Sequence, residues 1–110
     1  MLKNDMEKQI YKMGEVAEIL GESASAVRYW CNNFEQFLSL RRNAKGNRLF
    51  TPEDLETMKQ IRFLLKERGM TLEGAAKTLK ADRKSIEARV KALESLKEIK
   101  RQLQEVRKSL

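Results

Sequence analysis

Between Glu35 and Glu53 the chain carries no acidic residue, yet Arg41, Arg42, Lys45 and Arg48 crowd into the middle of that stretch. A short loop so charged is suited to following a phosphate backbone, and its bland alternative is a solvated turn. A second constellation lies just upstream in Ser25, Ala26, Arg28 and Tyr29. An arginine there can hold a guanine edge or a phosphate through two N–H groups, and a tyrosine hydroxyl can donate to a phosphate. Residues for covalent or acid–base chemistry are scarce. The sequence has no histidine, and its one cysteine, Cys31, excludes an intramolecular disulfide and a thiolate metal cage. No nucleophile elbow, phosphate loop or carboxylate cluster is present, so an enzyme is the weakest reading and no cofactor or metal is implied.

The composition agrees with a polyanion partner. Net charge is +7 and the isoelectric point about 9.7. The last 29 residues, 82–110, hold nine basic and five acidic side chains. With 110 residues there is room for one compact domain and one extended element, but not for two sizeable cores. A 35% share of charged residues is high for a globular chain and suits a protruding helix. The N-terminal stretch has no apolar run fit for a signal peptide or a membrane span, which points to a cytoplasmic protein.

Residues 1–10 read as a flexible lead-in. From Lys12 the apolar positions Met13, Val16, Ala17, Ile19 and Leu20 recur at helical spacing, and Gly21 supplies a stop. Ser23 can cap a second helix from Ala24 to about Phe34, with Val27, Trp30 and Phe34 inward. Two short helices joined by so brief a turn form a helix-turn-helix, whose second helix presents Ser25, Arg28 and Tyr29. The runs Phe37–Arg42 and Arg48–Phe50 flank an Asn/Gly-containing loop and predict a β-hairpin wing. Thr51-Pro52-Glu53-Asp54 is a strong helix start. That helix is expected to run to about Arg68, burying Leu55, Met58, Ile61, Phe63 or Leu64, and Leu65. A fourth helix opens at Thr71 and passes through Ala75, Ala76 and Leu79, and Asp82 caps a fifth.

The fifth helix, residues 83–110, would be about 42 Å long. Its apolar positions Ile86, Val90, Leu93, Leu96, Ile99, Leu103, Val106 and Leu110 are spaced by threes and fours, with consecutive threes around Leu96 marking a phase slip. A narrow stripe on a long polar helix needs a partner, and the expected one is the same helix of a second chain. The expected fold is therefore mainly α: a winged helix-turn-helix of four helices and a hairpin at residues 11–80, then a coiled-coil dimerisation helix at 82–110.

The order of the segments Tyr11-Lys12-Met13-Gly14-Glu15-Val16-Ala17, Arg28-Tyr29-Trp30 and Gly46-Asn47-Arg48-Leu49-Phe50-Thr51-Pro52-Glu53-Asp54-Leu55 resembles the MerR family of bacterial transcriptional regulators. Gly69-Met70-Thr71-Leu72-Glu73-Gly74 is similar to that family's second-wing turn. The resemblance implies a homodimer, paired through an antiparallel C-terminal helix, that binds a pseudo-palindromic promoter in double-stranded DNA and distorts it for RNA polymerase. It places Ser25, Arg28 and Tyr29 at recognition-helix contacts and Arg48 at a phosphate-gripping wing position. Tyr11 and Lys12 join the DNA-binding set ahead of the first helix, and Trp30 belongs to the core. Asn47 departs from the family's usual wing aromatic, and Phe50 replaces a tyrosine. The clustered cysteines of metal and redox sensors and the large C-terminal domain of drug sensors have no counterpart, which implies a member without an effector domain. MerR-like scaffolds also serve as protein modulators, for instance of chaperone partners, and that is the alternative.

Overall fold

The computed structural model describes residues 10–39 and 41–109. The lead-in at residues 1–9, Leu40 of the expected hairpin run and Leu110 of the stripe lie outside the described residues. Strand β1 (Tyr11–Lys12) leads directly into helix α1 (Met13–Leu20), and α2 (Ala24–Asn33) follows after a three-residue turn. Gly21 closes α1 with φ 69°, a left-handed backbone that a side chain would strain, and its N–H reaches the carbonyls of the last turn. The Ser23 hydroxyl accepts from the Ala26 N–H at 3.1 Å and starts α2. The glycine stop and serine start thus fix where the two helices of the helix-turn-helix end and begin.

A 3₁₀ turn (Glu35–Phe37) precedes strands β2 (Arg41–Arg42) and β3 (Arg48–Phe50). The expected strand start at Phe37 and Leu38 is corrected here, because Phe37 curls inward and its ring stands 6.3 Å from that of Phe34. The wing is also broader than a hairpin. β1 pairs antiparallel with β3 (Tyr11 opposite Phe50, Lys12 opposite Leu49), and β2 pairs on the other side of β3 (Arg41 opposite Leu49, Arg42 opposite Arg48). The sheet order β1-β3-β2 therefore ties the wing to the start of α1.

Helix α3 (Pro52–Arg62) begins at the expected start, and the cap is reciprocal: Thr51 Oγ1 accepts from the Asp54 N–H, and Asp54 accepts from the Thr51 N–H, both at 3.1 Å. Its last turn is not α-helical as expected. Phe63–Glu67 forms a π-helical turn, with the Arg68 N–H bonded to the Phe63 carbonyl five residues back. The extra residue buries Leu64 and leaves Phe63 and Leu65 half-covered. Helices α4 (Leu72–Ala81) and α5 (Arg83–Ser109) complete the chain.

One core joins the five helices and the central strand β3. Val16, Val27, Cys31, Phe34, Met58, Ile61, Leu64 and Leu79 are essentially solvent-free, and Trp30 lies among them. Ile86 and Val90 close that core from α5, which packs on α3 and α4. Each buried side chain of this size contributes about 1.5–3 kcal/mol. The first two positions of the stripe are thus corrected: Ile86 and Val90 are spent inside their own domain and offer no surface to a second chain. Ile19, one of the recurring apolar positions of α1, does not join the core. It is about half exposed, above the groove between α1, α3 and α5 where Leu93 is half-buried.

Candidate nucleic-acid interface

The outward stripe of α2 contains Ser25, Arg28, Tyr29 and Asn32, at i, i+3, i+4 and i+7, and all four are exposed. The inward stripe, Val27, Trp30, Cys31 and Phe34, anchors the helix to the core. α2 therefore presents one polar face held rigidly from behind, which is what a groove-reading helix requires. Asn32 was not among the residues singled out from sequence. Helical spacing from Ser25 would have placed it on this face, but a neutral amide gave no charge signal.

The wing flanks that face. Its turn is fixed by Asn43, whose side-chain oxygen accepts from the Lys45 and Asn47 N–H groups at 3.0 Å each. Gly46 supplies φ 85° at the tip, and Arg42 Nη1 donates to the Gly46 carbonyl at 2.7 Å. Lys45 stands exposed in the turn, and Arg41 and Arg42 are exposed on β2.

Between α2, the wing and the start of α1 runs an open cleft of about 360 Å³ lined by Lys12, Arg28, Arg42 and Arg48, with Gly14 and Asn32. Lys12 is held by its backbone N–H, which donates to the Glu15 carboxylate at 2.8 Å. Four of the residues chosen from sequence thus converge on one concave basic surface. Ser25 and Tyr29 lie on α2 outside the cleft lining, Arg41 and Lys45 on the wing outside it, and Tyr11 is half-buried in β1. The cleft is open, polar and positively charged, so it suits an extended polyanion better than a small apolar ligand.

Two anchors set the geometry behind the cleft. Asp54 is buried and accepts from the Ser39 N–H at 3.0 Å as well as from the Ser39 hydroxyl, tying the approach to the wing onto α3. Glu22, in the helix-turn-helix turn, accepts from Arg62 Nε at 2.9 Å and faces Lys66 at 3.8 Å. On the far side Lys59 meets Glu94 at 3.0 Å and Glu56 at 3.6 Å, joining α3 to α5. Burial pulls the Lys59 ammonium down, but bonding to Glu94 and the two carboxylate charges outweigh it and hold it above its ordinary value. Burial pushes the Cys31 thiol up, only partly offset by the Arg48 guanidinium, so Cys31 is a packed and protonated core residue.

Beyond Leu93, α5 carries Leu96, Ile99, Leu103 and Val106, which are 64%, 52%, 60% and 55% exposed. Glu98, Arg101 and Glu105 form an ion-paired row on the same segment. Among the described residues there is no group of histidine, cysteine and carboxylate side chains able to hold a metal ion. No described helix is long and apolar enough to cross a membrane.

A winged helix-turn-helix with a basic cleft between wing and second helix defines a class of DNA-binding regulators. Residues 11–82 match the model of the MerR HTH family of regulatory proteins, and the chain belongs to that family. It is 36% identical over 75 residues to the regulator protein TubY of a Clostridium botulinum C phage, covering 67% of this chain and 31% of TubY. The chain thus spans about a third of the length of that relative. Among solved structures, HiNmlR, a MerR family regulator lacking the sensor domain and bound to promoter DNA, is similar with a TM-score of 0.51 at 29% identity. That match covers 90% of this chain and 80% of HiNmlR. A MerR family regulator from Bacillus thuringiensis gives 0.53 at 28% identity over 90% and 98% of the two chains. Another from Bacillus cereus gives 0.56 at 22% identity over 87% and 70%, a likeness of fold. The family is one of helix-turn-helix regulatory proteins, and the solved structures that the chain resembles are MerR family regulators.

Proposed function

We propose that this protein binds a pseudo-palindromic promoter site in double-stranded DNA as a homodimer. α2 lies in the major groove with Ser25, Arg28 and Tyr29 toward base edges and phosphates. Lys12, Arg41, Arg42 and Lys45 grip the flanking backbone. The observation that carries the dimer is the stripe Leu96, Ile99, Leu103 and Val106, apolar and more than half exposed on a helix that has left its own core. Antiparallel pairing of two such stripes would leave a DNA-reading head at each end of the pair, matching two half-sites. A rigid pair of heads also imposes its own spacing on the duplex, and bending or untwisting a site costs a few kcal/mol, offset by added phosphate contacts. Support for promoter DNA as the ligand comes from HiNmlR, whose structure is a promoter complex.

Binding-site selection from random duplexes, followed by gel shifts on whole and half sites, tests this reading. The selected sequences should show two-fold symmetry, and the whole site should bind far more tightly than either half. Selection of asymmetric sites, or equal affinity for half and whole, refutes dimeric recognition.

A further inference from the structure

Arg48 differs from every other basic residue of the wing. Its side chain is only 14% exposed, whereas Arg41, Arg42 and Lys45 are exposed. Its Nη2 donates to Asn32 Oδ1 of α2 at 2.6 Å and lies 3.9 Å from the Glu35 carboxylate just beyond that helix. Its Nη1 is fully enclosed and has no hydrogen-bond partner. It lines both the basic cleft and a small apolar recess behind it, formed with Cys31, Leu49 and Phe50. In the sheet it belongs to β3, the central strand, so whatever holds Arg48 holds β1 and β2 as well.

A bidentate phosphate grip needs two free N–H groups on one edge of the guanidinium. Here one terminal nitrogen is bonded to Asn32 and the other is sealed from solvent. The charge is also matched already, because Glu35 faces it. We propose that Arg48 is a positioning residue: its guanidinium fork, bonded to Asn32, locks the wing to the C-terminal half of the recognition helix. The grip on phosphate then falls to the exposed wing cations. Asn32 becomes the recognition helix's end of that lock, which explains a polar residue on the outward face so near the wing.

The inference rests on the DNA-binding reading, and affinity measured across a salt series on a selected duplex separates the two. Losing a phosphate contact lowers the slope of log affinity against log salt by about 0.9. Lys45→Met, at the exposed tip, should show that loss and serves as the reference. Arg48→Met should weaken binding about tenfold at each salt concentration with the slope unchanged, and Arg48→Lys should not rescue it, since an ammonium keeps the charge but loses the fork. Asn32→Ala should weaken binding comparably, and the double variant Asn32→Ala with Arg48→Met should be no weaker than Arg48→Met alone. A slope reduced by about 0.9 in Arg48→Met, rescue by Arg48→Lys, or additive losses in the double variant would overturn the proposal. Should Arg48→Met fail to fold, as judged by its melting curve, Asn32→Ala decides: weaker binding at unchanged slope supports the lock, and unchanged binding overturns it. Wild-type protein that binds no duplex overturns the DNA-binding reading as well.

Discussion

Replacing Ile99 and Leu103 together with aspartate should convert a dimer into folded monomers. Both residues are more than half exposed in the single chain, as are Leu96 and Val106. Full burial of such a side chain is worth about 1.5–3 kcal/mol, so covering the exposed part contributes about 1–2 kcal/mol each. Four residues in each of two copies then supply about 8–16 kcal/mol, set against an association cost of about 4–15 kcal/mol. The margin is modest. Losing half of the stripe on both copies removes about 4–8 kcal/mol and brings carboxylates together at the seam. Even 4 kcal/mol is about three decades in Kd. The head should survive, because Ile86 and Val90, which seal it, are untouched. Val90→Asp is the contrasting control, since it buries a charge in that core and should unfold the domain. Sedimentation with circular dichroism reads both effects. Wild-type protein that is monomeric at tens of micromolar, or a double variant that still dimerises, would show that the α5 stripe does not pair two chains.

Three further outcomes follow from the packing. Gln60 is buried with its side-chain oxygen unpaired, so Gln60→Leu should raise stability by about 1–2 kcal/mol in a denaturant titration, and a loss would mean that the amide is satisfied in solution. Asp54→Ala strips the acceptor from the Ser39 and Thr51 N–H groups and should cost about 2–4 kcal/mol by thermal melting, with a loss below 1 kcal/mol refuting its role as an anchor. Cys31 should resist aromatic disulfide reagents in the native protein at neutral pH. Its pKa is raised in the folded state, so its contribution to stability is full below the ordinary thiol range and is lost as pH rises through and above it. Fast labelling without unfolding would contradict its burial.

Local signals in the sequence located most elements because they act over three or four residues. Gly21, Ser23 and Thr51-Pro52-Glu53-Asp54 fix helix ends by their own chemistry, and the structure has those ends where they fall. Features that depend on distant partners were not legible. β1 has two residues, too few to show alternation, and exists because β3 lies beside it. The α5 stripe is continuous in sequence, yet Val90 is buried and Leu96 is exposed, because the rest of the core stops where the helix does not. The π-helical turn at Phe63–Glu67 adds a single residue, too small a change to read from periodicity. At the interface, charge marked Arg28 and the wing cations. It could not separate Arg48, already engaged by Asn32 and Glu35, from the exposed cations around it.

A face of α2 and wing that reads duplex DNA must show both counterion release and sequence preference. The most direct measurement is wild-type affinity for a selected site and for an unrelated duplex of equal length, each across a salt series. Affinity should fall steeply with salt for both, through counterion release, and the selected site should be favoured by about a thousandfold or more near physiological salt. Equal affinity for the two duplexes, or binding insensitive to salt, would contradict DNA reading by that face.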